Sequence, residues 1–260
     1  MDWGKSNRMN RIIRPDGRTV MLAVDHGYFL GPTTGLENPK KTIMPLVPYA
    51  DCLMLTRGVL RSSIDPKVDV PVVLRISGGT SILAKNLLHE GITVSVKDAI
   101  RLNVSGVAFS ITVGTEWERD TILGLSKVVD ECEEYGIPVV AVTAVGKELG
   151  KDDKYLSLAS RIAAEHGASI VKTYYCENFS RVVDTCPVPI VIAGGKKLPE
   201  LEALEMAHNA LEAGAVGVDM GRNIFQADDP VAMIRAVRAV VHEKATPREA
   251  HEMLTEKRKK

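Results

Sequence analysis

The chain has 260 residues, 45% of them hydrophobic and 25% charged, and its 33 Lys plus Arg balance 33 Asp plus Glu. That balance leaves no global field to draw nucleic acid or an anionic membrane, and no apolar run approaches the roughly 20 residues of a membrane span. Cys52, Cys132, Cys176 and Cys186 are scattered without a CxxC pair, and the start Met1-Asp2-Trp3-Gly4-Lys5 lacks the apolar stretch of a secretory signal. A reduced, cytoplasmic protein with neither disulfides nor a zinc site is expected.

Met1 to Arg18 reads as an N-terminal arm. Eight short β-type runs follow, and almost every gap between them carries helical periodicity. The first, Thr19 to Val24, ends at Asp25-His26-Gly27. The second, Asp51 to Leu55, ends at Thr56-Arg57-Gly58, and the third, Pro71 to Leu74, ends at Arg75-Ile76-Ser77-Gly78. An insertion, Leu87 to Val94, precedes a helix opened by Ser95 and Asp98 in a variant of the capping box. The fourth run is Val107 to Ile111. A long helix over Glu116 to Tyr135 leads to the fifth, Pro138 to Val142, which ends at Thr143. The helix Ser157 to Glu165 closes at Gly167 and leads to the sixth run, Ala168 to Tyr175, which contains Lys172. Pro189 to Ala193 is seventh, followed by Gly194-Gly195. The helix Glu200 to Leu211, with Leu201, Leu204, Ala207 and Leu211 on one face, leads to the eighth, Ala215 to Val218, followed by Asp219-Met-Gly-Arg222. Thr246 to Lys260 reads as a helical tail with a solvated basic end.

Strict βα alternation with near-continuously apolar strands implies a parallel sheet covered on both faces. Eight units in a chain of this length fit an α/β TIM (β/α)8 barrel, which takes about 250 residues as one domain. The rival, an open doubly wound sheet, lacks its GxGxxG turn after the first strand. Residues 1–260 are therefore expected to form one domain, with arm 1–18 and tail 246–260 available for subunit contacts.

Barrel active sites gather at the C-terminal ends of the strands. The residues at those ends are Asp25, His26, Arg57, Arg75, Thr143, Lys147, Lys172, Tyr174, Gly194, Gly195, Gly221 and Arg222. A lysine leaving a buried strand loses solvation, which favours the neutral amine, the form that condenses with a carbonyl. The other reading of Lys172 is a structural counter-ion. Asp25 and His26 suit acid/base or orienting work; the bland alternative is a turn cap and a loop histidine. Gly194-Gly195 and Gly221-Arg222 would let backbone N–H groups and a guanidinium approach a phosphate, after the two strands where barrels of this class often bind one. Each glycine could equally serve a tight turn. Tyr174 shares the phase of Lys172, whereas Tyr175 should face the helices. Cys176 carries no mark of activation and reads as a small hydrophobe. His89, His166, His208, His242 and His251 fall in helical or insertion segments and read as surface residues. No metal-ligand spacing is present. The combination points to a Schiff-base enzyme acting on a phosphorylated ketone.

Val24-Asp-His-Gly-Tyr-Phe29, Gly31-Pro-Thr-Thr-Gly35, Val171-Lys-Thr-Tyr-Tyr175, Ile192-Ala-Gly-Gly-Lys-Lys-Leu-Pro199 and Val218-Asp-Met-Gly-Arg-Asn-Ile-Phe-Gln226 together resemble the DeoC/FbaB class I aldolase family, from about Asp2 to the C-terminal helix. The resemblance implies Lys172 as the Schiff-base lysine and Asp25 and His26 as pocket acid/base residues. It also implies Gly194, Gly195, Gly221 and Arg222 as the phosphate cradle; Thr143, Lys147 and Tyr174 are candidate pocket residues from their places at the strand ends. Archaeal-type fructose-bisphosphate aldolases carry Trp-x-Tyr-x-Arg-Gly on the fifth strand, whose tyrosine transfers a proton. Here the stretch is Ala141-Val-Thr-Ala-Val-Gly146, with Thr143 in the tyrosine's place. Threonine neither donates nor accepts a proton near neutral pH. The stretch is similar instead to a thiolase branch that processes phosphorylated autoinducer-2. That branch cleaves a phosphorylated dione with coenzyme A as co-substrate, giving dihydroxyacetone phosphate and acetyl-CoA. The resemblance further implies a homo-oligomer, a pentameric ring or decamer. An aldolase joining dihydroxyacetone phosphate to an aldehyde is the first alternative, and a non-catalytic sugar-phosphate sensor on the same barrel the second.

Overall fold

The computed structural model describes residues 2–85, 87–146 and 149–258. Eight parallel strands close into a barrel: β1 (Thr19–Ala23), β2 (Cys52–Thr56), β3 (Val72–Arg75), β4 (Gly106–Val113), β5 (Val139–Val145), β6 (Ile170–Tyr174), β7 (Ile190–Ala193) and β8 (Gly217–Met220). Each strand pairs with its neighbours in sequence, and β8 pairs back to β1, with Thr19 opposite Gly217 and Asp219 opposite Met21. The expected barrel is the one observed.

The helices are α1 (Trp3–Ile12), α2 (Gly27–Leu30), α3 (Pro39–Ile43), α4 (Arg57–Ser63), α5 (Val96–Arg101), α6 (Glu118–Glu133), α7 (Asp153–Glu165), α8 (Phe179–Asp184), α9 (Glu200–Glu212), α10 (Arg222–Phe225), α11 (Pro230–His242) and α12 (Pro247–Arg258). Side-chain caps set several starts. Ser95 Oγ accepts from Asp98 N–H at 3.2 Å to open α5, and Asp152 does the same for Tyr155 N–H at α7. The capping box expected at Ser95 forms only this half. The Asp98 carboxylate turns away to bind Arg61 at 2.8 Å and Arg57 at 3.2 Å. Arg57 is thereby committed to joining α4 to α5. None of the described helices is long and apolar enough to cross a membrane.

Two apolar layers result. The outer one lies between strands and helices and includes Leu22, Leu53, Leu74, Phe109, Phe179, Leu204 and Val237. The inner one fills the lower barrel with Met21, Cys52, Met54, Val73, Ala108, Val140, Ile170 and Val191, closed by Ile12 from the end of α1. The Thr19 hydroxyl donates to the Ile12 carbonyl at 2.7 Å and fixes this plug. The arm stoppers the barrel, and α12 buries Ala250 and Leu254 completely.

His242 departs from its expected surface position. Its ring bridges Asp16 through Nδ1 at 2.6 Å and Asp51 through Nε2 at 2.7 Å, with 10% of its side chain exposed. Asp51 also accepts from Val20 N–H at 2.7 Å and from Arg238 at 2.9 Å. The last turn of α11 is therefore stapled to the N-terminal end of the barrel, a long-range pairing that helical periodicity cannot reveal. Burial by itself would lower the pKa of His242, but hydrogen bonds to Asp51 and Asp16 outweigh it and raise it above 6.5.

Replacing Ile12 with Ala should cost about 2–5 kcal/mol in chemical denaturation, from the cavity left at the barrel floor. His242→Gln should cost about 1–3 kcal/mol at pH 6. A group whose folded-state pKa is raised stabilises fully below its unfolded value and loses that contribution as pH rises through the folded one. The gap between His242→Gln and wild type should therefore narrow at alkaline pH; a gap constant from pH 6 to 10 would refute the charged bridge.

Candidate active site

The upper barrel opens into a cavity of about 220 Å³ bordered by the C-terminal ends of the strands. Lys172 is not at the exit of β6 but inside it, in the inward phase between Ile170 and Tyr174. It is buried, and its Nζ lies 2.9 Å from Asp219 Oδ2 and 3.8 Å from Met54 Sδ. Asp219 is wholly buried at the base of the cavity. Burial pushes its carboxyl above the ordinary range, with the Lys172 ammonium opposing. Sequence reading missed Asp219 because it ended the eighth strand at Val218, whereas β8 runs from Gly217 to Met220. The alternation Gly217, Asp219, Gly221 carried the signal: all three share the inward phase.

Asp25 follows β1 and is also buried, with Oδ2 accepting from Arg75 Nε at 2.8 Å. Burial would raise its pKa, but Arg75, Lys172 and His26 outweigh that and hold it below the usual carboxylate range. Arg75 is anchored in turn by Ser110 Oγ at 2.7 Å and Ser77 Oγ at 3.3 Å. His26 Nδ1 sits 3.8 Å from Asp25 Oδ1 and has no hydrogen-bond partner among the described residues. Burial lowers the His26 pKa to about 4 against the pull of Asp25, so the imidazole is neutral at neutral pH.

The second glycine turn lies beside His26. A Cβ on Gly221 would collide with the Ala23 carbonyl and the His26 ring, so only glycine lets the start of α10 close on β1. Gly195 has φ +68° with open space around it. Asn223 ties the turns together. Its Nδ2 donates to the Gly194 carbonyl at 2.7 Å, and its Oδ1 accepts from Leu198 N–H at 2.7 Å. Arg222 lines the cavity next to them, and its buried Nε finds no acceptor among the described residues. An unpaired buried guanidinium N–H is costly unless an anion completes it.

Of the other expected pocket residues, Tyr174 lines the cavity with Lys151 Nζ 3.6 Å over its ring, and Tyr175 packs toward Phe179 on the helical side. Thr143 borders the cavity, but its hydroxyl lies 2.9 Å from Thr173 Oγ1 and 3.3 Å from the Lys172 carbonyl, turned to β6. Inward positions on β5 are taken by Val142 and Ala144. Lys147 lies outside the described residues. Arg57 is not among the residues lining the cavity. Burial pushes the Cys176 thiol up, as suits an unactivated cysteine. Among the described residues, no group of three or more His, Cys, Asp and Glu is placed to hold a metal ion.

The insertion after β3 supplies residues that the strand-end reading left out. Gly91–Ile92 pairs antiparallel with Ser77–Gly78 and folds Leu87, Leu88 and Glu90 over the cavity. Glu90 accepts from the Tyr28 and Ser77 hydroxyls, each at 2.6 Å.

The chain matches the DeoC/LacD family aldolase over residues 19–227. It is 55% identical over 260 residues to the 3-hydroxy-5-phosphonooxypentane-2,4-dione thiolase of Photorhabdus laumondii subsp. laumondii, covering 99% of this chain and 89% of that one. With the thiolase of the same name from Escherichia coli K12 it shares 56% over the same extents. Among solved structures, an archaeal fructose-1,6-bisphosphate aldolase with its catalytic Lys covalently bound to the carbinolamine intermediate of its substrate aligns with a TM-score of 0.83 and 27% identity. That alignment covers 91% of this chain and 99% of the aldolase. A closed eight-stranded barrel with a buried lysine, matched by this family along most of its length, makes the chain an enzyme of the DeoC/LacD aldolase family.

Proposed function

We propose that the protein is a Schiff-base thiolase that cleaves 3-hydroxy-5-phosphonooxypentane-2,4-dione with coenzyme A, giving dihydroxyacetone phosphate and acetyl-CoA in the degradation of phosphorylated autoinducer-2. The observation that carries this reading is one cavity holding a buried Lys172–Asp219 pair together with an unpaired Arg222. It supplies an amine for a ketone and a cation for a phosphate. The activity for which relatives sharing more than half of the residues are named supports the choice of substrate.

Asp219, 2.9 Å from Nζ, is placed to receive the lysine's proton and leave a nucleophilic amine. Arg222 and the turns at Gly194, Gly195 and Gly221 hold the phosphate. Lys172 then attacks the C4 ketone, and water leaves as the iminium forms. The thiol sulfur of coenzyme A attacks C2, and the C2–C3 bond breaks with its electron pair passing into the iminium. Acetyl-CoA and an enamine of dihydroxyacetone phosphate result. Protonation at C3 and hydrolysis release the product and restore Lys172. Asp25, neutralised by Arg75, and the neutral His26 position the substrate from the β1 side.

The alternative second partner is an aldehyde, as in a fructose-bisphosphate-type aldolase. The hydroxyl of Thr143 engaged with β6, where related aldolases use a tyrosine, favours the thiol. Dependence of dione cleavage on coenzyme A separates the two. Following the resemblance, the working enzyme is a cytoplasmic homo-oligomer.

Borohydride added with the dione should trap a covalent adduct on Lys172, read by peptide mass. Lys172→Ala should abolish trapping and lower turnover by at least ~10³-fold; full activity in that variant would sink the mechanism. Arg222→Ala should raise KM roughly 10- to 100-fold with little change in kcat, the worth of a charge-assisted hydrogen bond. An unchanged KM would count against the cradle.

A further inference from the structure

The steps above leave two proton movements without an owner: loss from the thiol and gain at C3. Asp25 is committed to a charge pair with the Arg75 guanidinium, whereas Glu90 accepts from two neutral hydroxyls, and the Thr143 hydroxyl is turned to β6. His26 packs at Gly221 and Phe225, on the phosphate side. Glu90 remains. Its two carboxylate oxygens each accept one short hydrogen bond, from Tyr28 after β1 and Ser77 after β3. Ser77 Oγ is itself fixed by donation from Ser110 N–H at 3.0 Å. A carboxylate oxygen so held keeps a second lone pair free.

Its position matches the need. In the closed ring β3 lies four strands from β7 and therefore faces it across the barrel. A ketone held by its phosphate at β7 and β8 and bonded to Lys172 on β6 would extend its far carbonyl across the barrel, toward β3. Glu90 lines the same cavity there, on the insertion that covers it. The tyrosine position of β5 is Thr143, so proton transfer has been vacated on that strand and a carboxylate is offered from another.

We infer, on the basis of the thiolase reading, that Glu90 is the catalytic acid/base of carbon–carbon cleavage, with Tyr28 and Ser77 as its positioning residues. Its carboxylate takes the thiol proton as sulfur bonds to C2. The C2–C3 pair moves into the Lys172 iminium to give the enamine, and the C2 oxyanion re-forms its carbonyl as acetyl-CoA. The carboxylic acid then returns the same proton to C3. The thiol hydrogen ends on the product carbon, Glu90 is again a carboxylate, and no oxidant or further co-reactant is needed. Burial, with the charges of Glu90 and Asp25 nearby, raises the Tyr28 phenol, which stays protonated as the donor to Glu90.

The test uses the full enzyme and dihydroxyacetone phosphate in D2O without coenzyme A, where reversible enamine formation exchanges hydrogen at the hydroxymethyl carbon. Glu90→Gln keeps the shape of the side chain. It should still be trapped by borohydride on Lys172, showing an intact fold, Schiff base and phosphate site. Its deuterium exchange should fall ~10²- to 10⁴-fold, and its acetyl-CoA formation from the dione should fall with it. Exchange at the wild-type rate in Glu90→Gln overturns the proposal, as does absence of exchange in the wild type. Loss of trapping also overturns it, by placing Glu90 before the enamine. If the wild type makes no acetyl-CoA while exchange still depends on Glu90, the thiolase reading fails and the role of Glu90 at the carbon stands.

Discussion

The buried Lys172–Asp219 pair governs how the upper barrel is built. A charge taken out of water is costly, and a buried ion pair roughly offsets that cost rather than adding stability. Removing either partner leaves the other uncompensated. Here the pair sits above an apolar layer that Ile12 closes from below, and on its other side it borders the cavity. The arm therefore serves the chemistry indirectly. It completes the apolar floor beneath the ammonium and its carboxylate partner, Asp219.

Among the described residues, three cations line this cavity, in three different states. Arg75 is neutralised by Asp25 and held by Ser110 and Ser77, which makes it scaffolding. Lys172 has a carboxylate that can take its proton. Arg222 has a buried Nε with no acceptor among the described residues. Pairing, rather than residue type, thus separates them: one is held by a carboxylate and two hydroxyls, one faces a carboxylate, and one carries an N–H without an acceptor among the described residues. The same device recurs at the opposite end of the barrel, where Asp51 gathers His242 and Arg238.

Much of the site was legible in the chain because a parallel barrel turns sequence order into spatial order. Each strand is followed by a turn on the same rim, so Asp25, Lys172, Gly194 and Arg222 converge once the alternation is recognised. Asp219 escaped because a two-residue shift of the last strand moves it from turn to interior, and strand ends are poorly marked when both flanks are apolar. Glu90 escaped for another reason. It reaches the cavity through an antiparallel clip between Ser77–Gly78 and Gly91–Ile92, which has no periodicity to read. His242 has helical spacing like its neighbours, and only docking of α11 on Asp16 and Asp51 distinguishes it.

By itself the sequence determined the barrel, the identity of the inward lysine and the two glycine turns. These depend on local backbone preference and on a repeating apolar pattern, which neighbouring residues encode. Tertiary structure decided which carboxylate meets which cation. Asp219 went to Lys172, Asp25 to Arg75, Asp98 to Arg57 and Arg61, and Glu90 to two hydroxyls. Such pairings join residues far apart in the chain through forces that fall off within a few ångströms, and no spacing along one strand or helix records them.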